Sequence, residues 1–177
     1  MRLFFALWPD EAMRGRLRAA TQELRAALAD ARWVAPENWH LTLAFLGHVA
    51  DASVASVSSA ALEVARQVRS GAITVRLDQA ELWAKPHLLC ASARCVSPAA
   101  EALAVALRDA LIAASFAPDL KPFRAHVTLA RKVRRAPRAL TLTAITWTFD
   151  AFALIESRTA ATGSLYSVRE SWPLDNG

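Results

Sequence analysis

Short apolar runs alternate with longer stretches of helical spacing along this chain. The first run, Leu3-Phe4-Phe5-Ala6-Leu7-Trp8, is continuous and stops at Pro9-Asp10, so it predicts a buried strand. Over residues 10–30, Leu17, Leu24 and Leu28 share one helical face, and Asp10 and Glu11 suit the N-terminus. A loop with Pro36 leads into a strand around His40. A helix over residues 52–69 and a pair of strands within residues 73–83 come next. Residues 87–94 predict another strand. Ser97 and Pro98 then suit the N-cap and first position of a helix with Leu103, Leu107 and Leu111 on its apolar face. Beyond Pro122 comes a strand around His126. Three more strands are expected: the alternating residues 140–147, the apolar residues 149–156, and 165–168 after Gly163.

The pattern repeats. Trp39-His40-Leu41-Thr42-Leu43-Ala44 returns as Ala125-His126-Val127-Thr128-Leu129-Ala130, at an offset of 126 − 40 = 86 residues. The same offset pairs Pro36 with Pro122, Leu17 with Leu103 and Leu3 with Leu89. Each copy runs strand, helix, Pro-bearing loop, histidine strand. Two copies at so long a period do not make a solenoid. They predict an α+β fold of two pseudo-symmetric β-α-β lobes, with antiparallel sheets around a central cleft. No Gly-, Ser- or Pro-rich linker divides the chain, so residues 1–177 are expected to form a single domain.

Composition narrows the function classes. With 54% hydrophobic and 21% charged residues, the chain reads as globular rather than disordered. No apolar run reaches the roughly 18 residues that span a bilayer. The opening run is too short for a signal-peptide core and lacks a cleavage site, so a cytoplasmic protein, expected to be a monomer, is predicted. Two cysteines, Cys90 and Cys95, cannot make a disulfide framework or a Cys-rich zinc site, and Cys90 reads as a small core residue. The net charge is +5, with Arg124, Arg131, Lys132, Arg134, Arg135 and Arg138 close together. This is either a solvated basic face or a surface that attracts phosphates.

The repeated triplet carries the candidate chemistry. Strand side chains have a period of two, so His40, Thr42 and Ala44 share one face and Leu41, Leu43 and Phe45 the other. His126, Thr128 and Ala130 likewise oppose Val127, Leu129 and Arg131. The apolar faces suit the lobe cores, and the His and Thr faces then meet across a cleft. Imidazoles titrate near neutrality, so one can act as base and the other as acid on opposite sides of a phosphorus. The threonine hydroxyls can donate to non-bridging phosphate oxygens. No metal or other cofactor is needed. A zinc site would want a third ligand, and neither motif supplies one. His48 and His87 have no counterpart at the offset and read as loop or edge residues. Arg124 and Arg131 are the candidate phosphate or RNA contacts. Alternation puts Arg124 on the His126 face and Arg131 on the opposite one, where geometry alone makes it structural. Trp39 alternates away from His40, so no base-stacking role is assigned to it.

At these residues the chain resembles the two-histidine (2H) phosphoesterase superfamily, and within it the RNA 2′,3′-cyclic phosphodiesterases, also called 2′-5′ RNA ligases. The matching stretches are Arg2-Leu3-Phe4-Phe5-Ala6, the nine residues from Trp39 to Gly47, residues 123–131, and residues 166–174 with Trp172-Pro173. The resemblance implies hydrolysis of a 2′,3′-cyclic phosphate on RNA to a 2′-phosphate end, the ligase name reflecting the reverse direction. It implies that His40 is the proton donor to the leaving 3′ oxygen, that His126 is the base that activates water, and that Thr42 and Thr128 bind the phosphate. The family often has proline before the second histidine, where this chain has Ala125, which affects strand entry more than chemistry. A phosphodiesterase for 2′-5′ oligonucleotides or another cyclic phosphate, and a module that binds a nucleotide or RNA end without turning it over, are the alternatives.

Overall fold

The opening apolar run forms β1 (Arg2–Leu7), buried from Leu3 onward. The Asp10 side chain accepts a hydrogen bond from the Met13 backbone N–H and caps α1 (Glu11–Ala20). The single helix expected over residues 10–30 is broken at buried Thr21, whose hydroxyl turns back to the Leu17 and Arg18 carbonyls, and α2 (Gln22–Ala27) succeeds it. Then come β2 (Arg32–Trp33), a 3₁₀ turn at Pro36–Asn38, and β3 (Leu41–His48). The next elements are α3 (Val54–Gln67), β4 (Ile73–Leu77), β5 (Gln79–Trp83), β6 (Leu88–Ser92) and α4 (Pro98–Ala113). The chain ends with β7 (His126–Arg131), β8 (Ile145–Phe149), β9 (Ala151–Ala160) and β10 (Gly163–Pro173). This computed structural model describes residues 1–134, 140–160 and 163–174. Arg135 and Arg138 of the basic run lie outside the described residues.

The fold is mixed α+β with antiparallel sheets. One sheet has the order β10-β9-β1-β3, the second β2-β7-β6-β5, and β4 pairs with β8 in a third, two-stranded ladder. Residues 73–83 are therefore two strands in different sheets rather than a pair. Their alternation is real, but alternation does not name the partner. Each histidine strand borders an opening strand, β3 with β1 and β7 with β6. Ala44 pairs with Phe5 and Ala130 with Leu89, so the opening strands match at 89 − 5 = 84 residues, two short of the motif offset that had matched Leu3 to Leu89. The two halves interlock. β2, from the first half, pairs with β7, and the Val34 N–H donates to the Leu129 carbonyl at 2.8 Å. One core serves both sheets and holds Leu3, Leu7, Leu89, Val127 and Leu129, with Leu103, Leu107 and Leu111 of α4 against it.

Both histidine strands depart from strict alternation at the same place. The register slips by one residue at Leu43, between the pairs Ala6–Thr42 and Phe5–Ala44. It slips again at Leu129, between Cys90–Thr128 and Leu89–Ala130. Each slip is a β-bulge, which puts two residues opposite one and inverts the facing of the residues beyond it. Ala44 and Ala130 therefore turn into the core, although alternation had put them with the histidines. Phe45 and Arg131 turn the other way.

Candidate active site

His40 stands one residue before β3 and His126 opens β7. Trp39 and Ala125, the residues just before them, are buried in the core, so the imidazoles point to the opposite side. Each ring is tied in the same way. His40 Nδ1 lies 2.7 Å from the Asn38 carbonyl oxygen, and His126 Nδ1 lies 2.7 Å from the Arg124 carbonyl oxygen. A carbonyl only accepts, so Nδ1 carries the proton in both rings and Nε2 is left for the cleft.

The walls around the rings differ. His40 is boxed by aromatics: Trp8 stacks at 5.7 Å, Phe4 lies at 4.8 Å and Tyr166 meets it edge-on at 5.2 Å. His126 packs on Trp83 at 4.5 Å. Trp83 in turn carries the Arg124 guanidinium, with Cζ 4.6 Å from the ring centre. Glu81 Oε2 accepts from both Trp83 Nε1 at 3.1 Å and Arg124 Nη2 at 2.6 Å. Arg124 thus lies beside His126, as its strand face suggested, but its guanidinium is held in an ion pair.

Burial dominates the titration of both rings. It pushes the His40 imidazole down to about 4, opposed by the bond to the Asn38 carbonyl and reinforced by charge on His126 and on Arg131. His126 is also lowered by burial, with the Arg124 carbonyl bond opposing, the Arg124 charge lowering and the Glu81 charge raising. At neutral pH the free protein therefore presents two neutral imidazoles, each with an open Nε2 lone pair.

A cavity of about 340 Å³ opens on the His40 side, lined by Arg2, Phe4, His40, Thr42, Phe45, Arg131, Ser157, Ser164 and Tyr166. Arg131 comes from the second sheet and faces this cavity, which corrects its placement on the structural face. The bulge at Leu129 is the reason. Phe45 is corrected likewise, and packs with Tyr166 and Trp8 on the cleft-side cluster of Phe4, Ala6, Ala153 and Ile155. Thr128 sits across from Cys90, whose thiol burial pushes up to about 12 against the lowering effect of its bond to Thr128. Cys90 is buried but is a neighbour of the site rather than of the main core. His48 is exposed at the end of β3, and His87 is exposed in the turn before β6. Glu81, Trp83 and Tyr166 went unassigned in the sequence. Their only signal was position, since Tyr166 opens the matching C-terminal stretch and Glu81 and Trp83 alternate on one strand face. Among the described residues, no three His, Cys, Asp or Glu side chains gather as metal ligands.

Comparison with known proteins gives the family and the fold. A family model described as LigT like Phosphoesterase matches residues 7–89. The RNA 2′,3′-cyclic phosphodiesterase of Escherichia coli is 30% identical over 147 residues, 81% of this chain and 80% of that protein. The chain belongs to the LigT-like phosphoesterase family. A second relative, the RNA 2′,3′-cyclic phosphodiesterase of Thermus thermophilus, is 28% identical over 186 residues, 98% of this chain and 90% of that one. The crystal structure of E. coli LigT complexed with 3′-AMP matches the fold with a TM-score of 0.83 at 27% identity, covering 98% of this chain and 97% of that one. The LigT-like fold is thus shared over nearly the whole chain.

Proposed function

We propose that this protein hydrolyses 2′,3′-cyclic phosphate ends of RNA to 2′-phosphate ends, with His40 as general acid and His126 as general base. The observation that carries the proposal is the matched pair of imidazoles, each held at Nδ1 by a backbone carbonyl with Nε2 bonded to no partner among the described residues. Two relatives bearing the name RNA 2′,3′-cyclic phosphodiesterase support the substrate. In the reaction, Nε2 of His126 takes a proton from water as its oxygen bonds to phosphorus. The P–O3′ bond breaks, and Nε2 of His40 gives its proton to O3′. Exchange with solvent then returns the proton from His126 to His40. Thr42, Thr128 and Arg131 hold the non-bridging oxygens. With an RNA 5′-hydroxyl in the place of water, the same step makes a 2′–5′ linkage.

The assignment of acid and base is the one the family resemblance implies, and the asymmetry of the walls supports it. A nucleoside-sized cavity opens beside His40, while Trp83 and the Arg124–Glu81 pair crowd His126. The ribose carries the leaving oxygen, so it belongs beside the acid. The free protein's ordering runs the other way, since His40 is the harder ring to protonate. The bound phosphate anion supplies the counter-charge that raises it.

The reading extends to a single domain of two lobes, a monomer in the cytoplasm, working without metal. The crossing of β2 into the second sheet supports the single domain. No helix among the described residues is long and apolar enough to cross a membrane. The test is RNA ending in a 2′,3′-cyclic phosphate, incubated in EDTA, with the product identified by mass and by 2′- against 3′-phosphate standards. A 2′-phosphate product is expected. An unchanged substrate, or activity that returns only with added metal, overturns the reading. A substrate with sulfur at the leaving 3′ position separates the roles, because thiolate needs little help from an acid. It should rescue His40→Ala and not His126→Ala.

A further inference from the structure

Two residues outside the His-x-Thr triplets stand in matched positions. Asn38 and Arg124 are 124 − 38 = 86 residues apart, the repeat offset, and each lies two residues before a histidine. Each gives its carbonyl to that histidine's Nδ1 at 2.7 Å. Neither residue lies in a strand. Asn38 ends the 3₁₀ turn, and Arg124 lies in irregular chain ahead of β7. The sheet ladders therefore hold neither residue; beyond the turn bonds from the Asn38 N–H to the Ala35 carbonyl at 2.9 Å and from the Trp39 N–H to the Pro36 carbonyl at 3.1 Å, each peptide has room for a further anchor.

The side chains supply it. Asn38 Nδ2 donates to the Ser164 carbonyl at 3.0 Å, reaching β10, the edge strand that also carries Tyr166 of the His40 wall. Arg124 Nη2 donates to Glu81 Oε2 on β5, the edge strand that also carries Trp83 of the His126 wall. In both halves one residue bonds the ring by its backbone and, by its side chain, the edge strand that carries the ring's aromatic wall. The chemistry differs, a neutral amide in the first half and an ion pair stacked on indole in the second.

We propose that Asn38 and Arg124 are positioning residues, each of which locks the tautomer and orientation of the histidine two residues on by clasping the edge strand that walls it in. The inference rests on the reading of His40 and His126 as the reacting pair. The clasp fixes the peptide whose carbonyl bonds Nδ1. Without it that carbonyl swings: the His126 imidazole can flip to the Nε2–H form, which turns a proton toward the cleft where a base needs a lone pair, and the His40 imidazolium loses the acceptor that aims its Nε2–H at the leaving oxygen.

The experiment is side-chain ¹⁵N NMR of the full-length protein at a pH where both rings are neutral, beside steady-state kinetics on RNA 2′,3′-cyclic phosphate. In the wild type, both rings should show a protonated Nδ1 and a bare Nε2. In Arg124→Ala and in Glu81→Ala, His126 should shift toward a tautomer mixture while His40 stays. In Asn38→Ala the reverse should hold. The kcat should fall by roughly 10- to 100-fold, with KM changed less than about twofold. If a variant does not fold, Glu81→Gln and Asn38→Asp test the same clasps more gently. A single Nδ1–H tautomer kept in every variant overturns the proposal, and so does wild-type kcat beside a mixed tautomer. If the wild type leaves the cyclic phosphate intact, it is the functional reading that fails, and the NMR still decides whether the clasps hold the rings.

Discussion

Phe45 and Arg131 occupy the same place in the two histidine strands, 131 − 45 = 86 residues apart, and both line the cavity beside His40. Period-two counting sends each of them to the core. An extra residue between each motif threonine and this position, Leu43 or Leu129, inverts the count and turns them into the cleft. One position thus delivers an aromatic face from the first sheet and a cation from the second. Arg131→Gln is therefore expected to weaken binding of inorganic phosphate or 3′-AMP roughly 10- to 100-fold, the range of a charge-assisted hydrogen bond worth about 1.5–3 kcal/mol. Titration calorimetry measures it. A merely structural arginine would lower the melting temperature and leave affinity alone.

His40→Ala and His126→Ala should each lower kcat on RNA 2′,3′-cyclic phosphate by roughly 10² to 10⁴, the usual contribution of one general acid or base. The double variant should be far less than multiplicatively worse, because the two rings act as a unit. Near-wild-type turnover in either single variant would remove that ring from the reaction.

The pH dependence of kcat/KM reports the free protein. Both imidazoles are lowered below 6.5, His40 to about 4, so the form with one proton on the pair is most populated on the acid side of 6.5. Below this window both rings are charged and the base is lost. Above it both are neutral and the acid is lost. A bell with its maximum between about 4 and 6.5 is expected, with the alkaline limb of kcat lying higher, since the bound anion raises the acid's pKa. For folding the sign comes from the same depression. The unfolded chain takes up protons first, so stability present above 6.5 is lost as pH falls toward the folded values. A kcat/KM profile centred above 7 would contradict this account.

Thr42→Val and Thr128→Val keep shape and strand preference while removing a hydroxyl. Each should lower kcat by an amount worth up to a few kcal/mol, as for one donor to a developing oxyanion, with little change in melting temperature. The Thr128 variant also strips Cys90 of its bonding partner. Because that bond lowers the thiol's pKa, the Cys90 thiol should react more slowly with a small alkylating probe in that variant. A variant that melts early but turns over normally would make the threonine structural.

The sequence by itself determined the repeat, the two histidines, the threonines and the α+β class. These live in residue identity and in local periods, and Trp39, Leu41, Val127, Leu103 and Leu107 are buried where those periods predicted. The resemblance at the two motifs carried the family as well. Tertiary structure decided the rest, because the rest depends on partners distant in the chain. The bulges at Leu43 and Leu129 exist only against β1 and β6, so no counting along β3 or β7 could reveal that Phe45 and Arg131 enter the cleft. Strand β4 needed β8 to name its sheet, across some seventy intervening residues that its own alternation cannot see. The bond from Arg124 to Glu81 spans 43 residues, and that from Asn38 to Ser164 spans 126. The depressed imidazoles result from burial, which belongs to the packed chain and not to histidine as a residue type. Local sequence sets which groups are present and which way a regular strand would face them, while desolvation and register arise only when separate segments pack together.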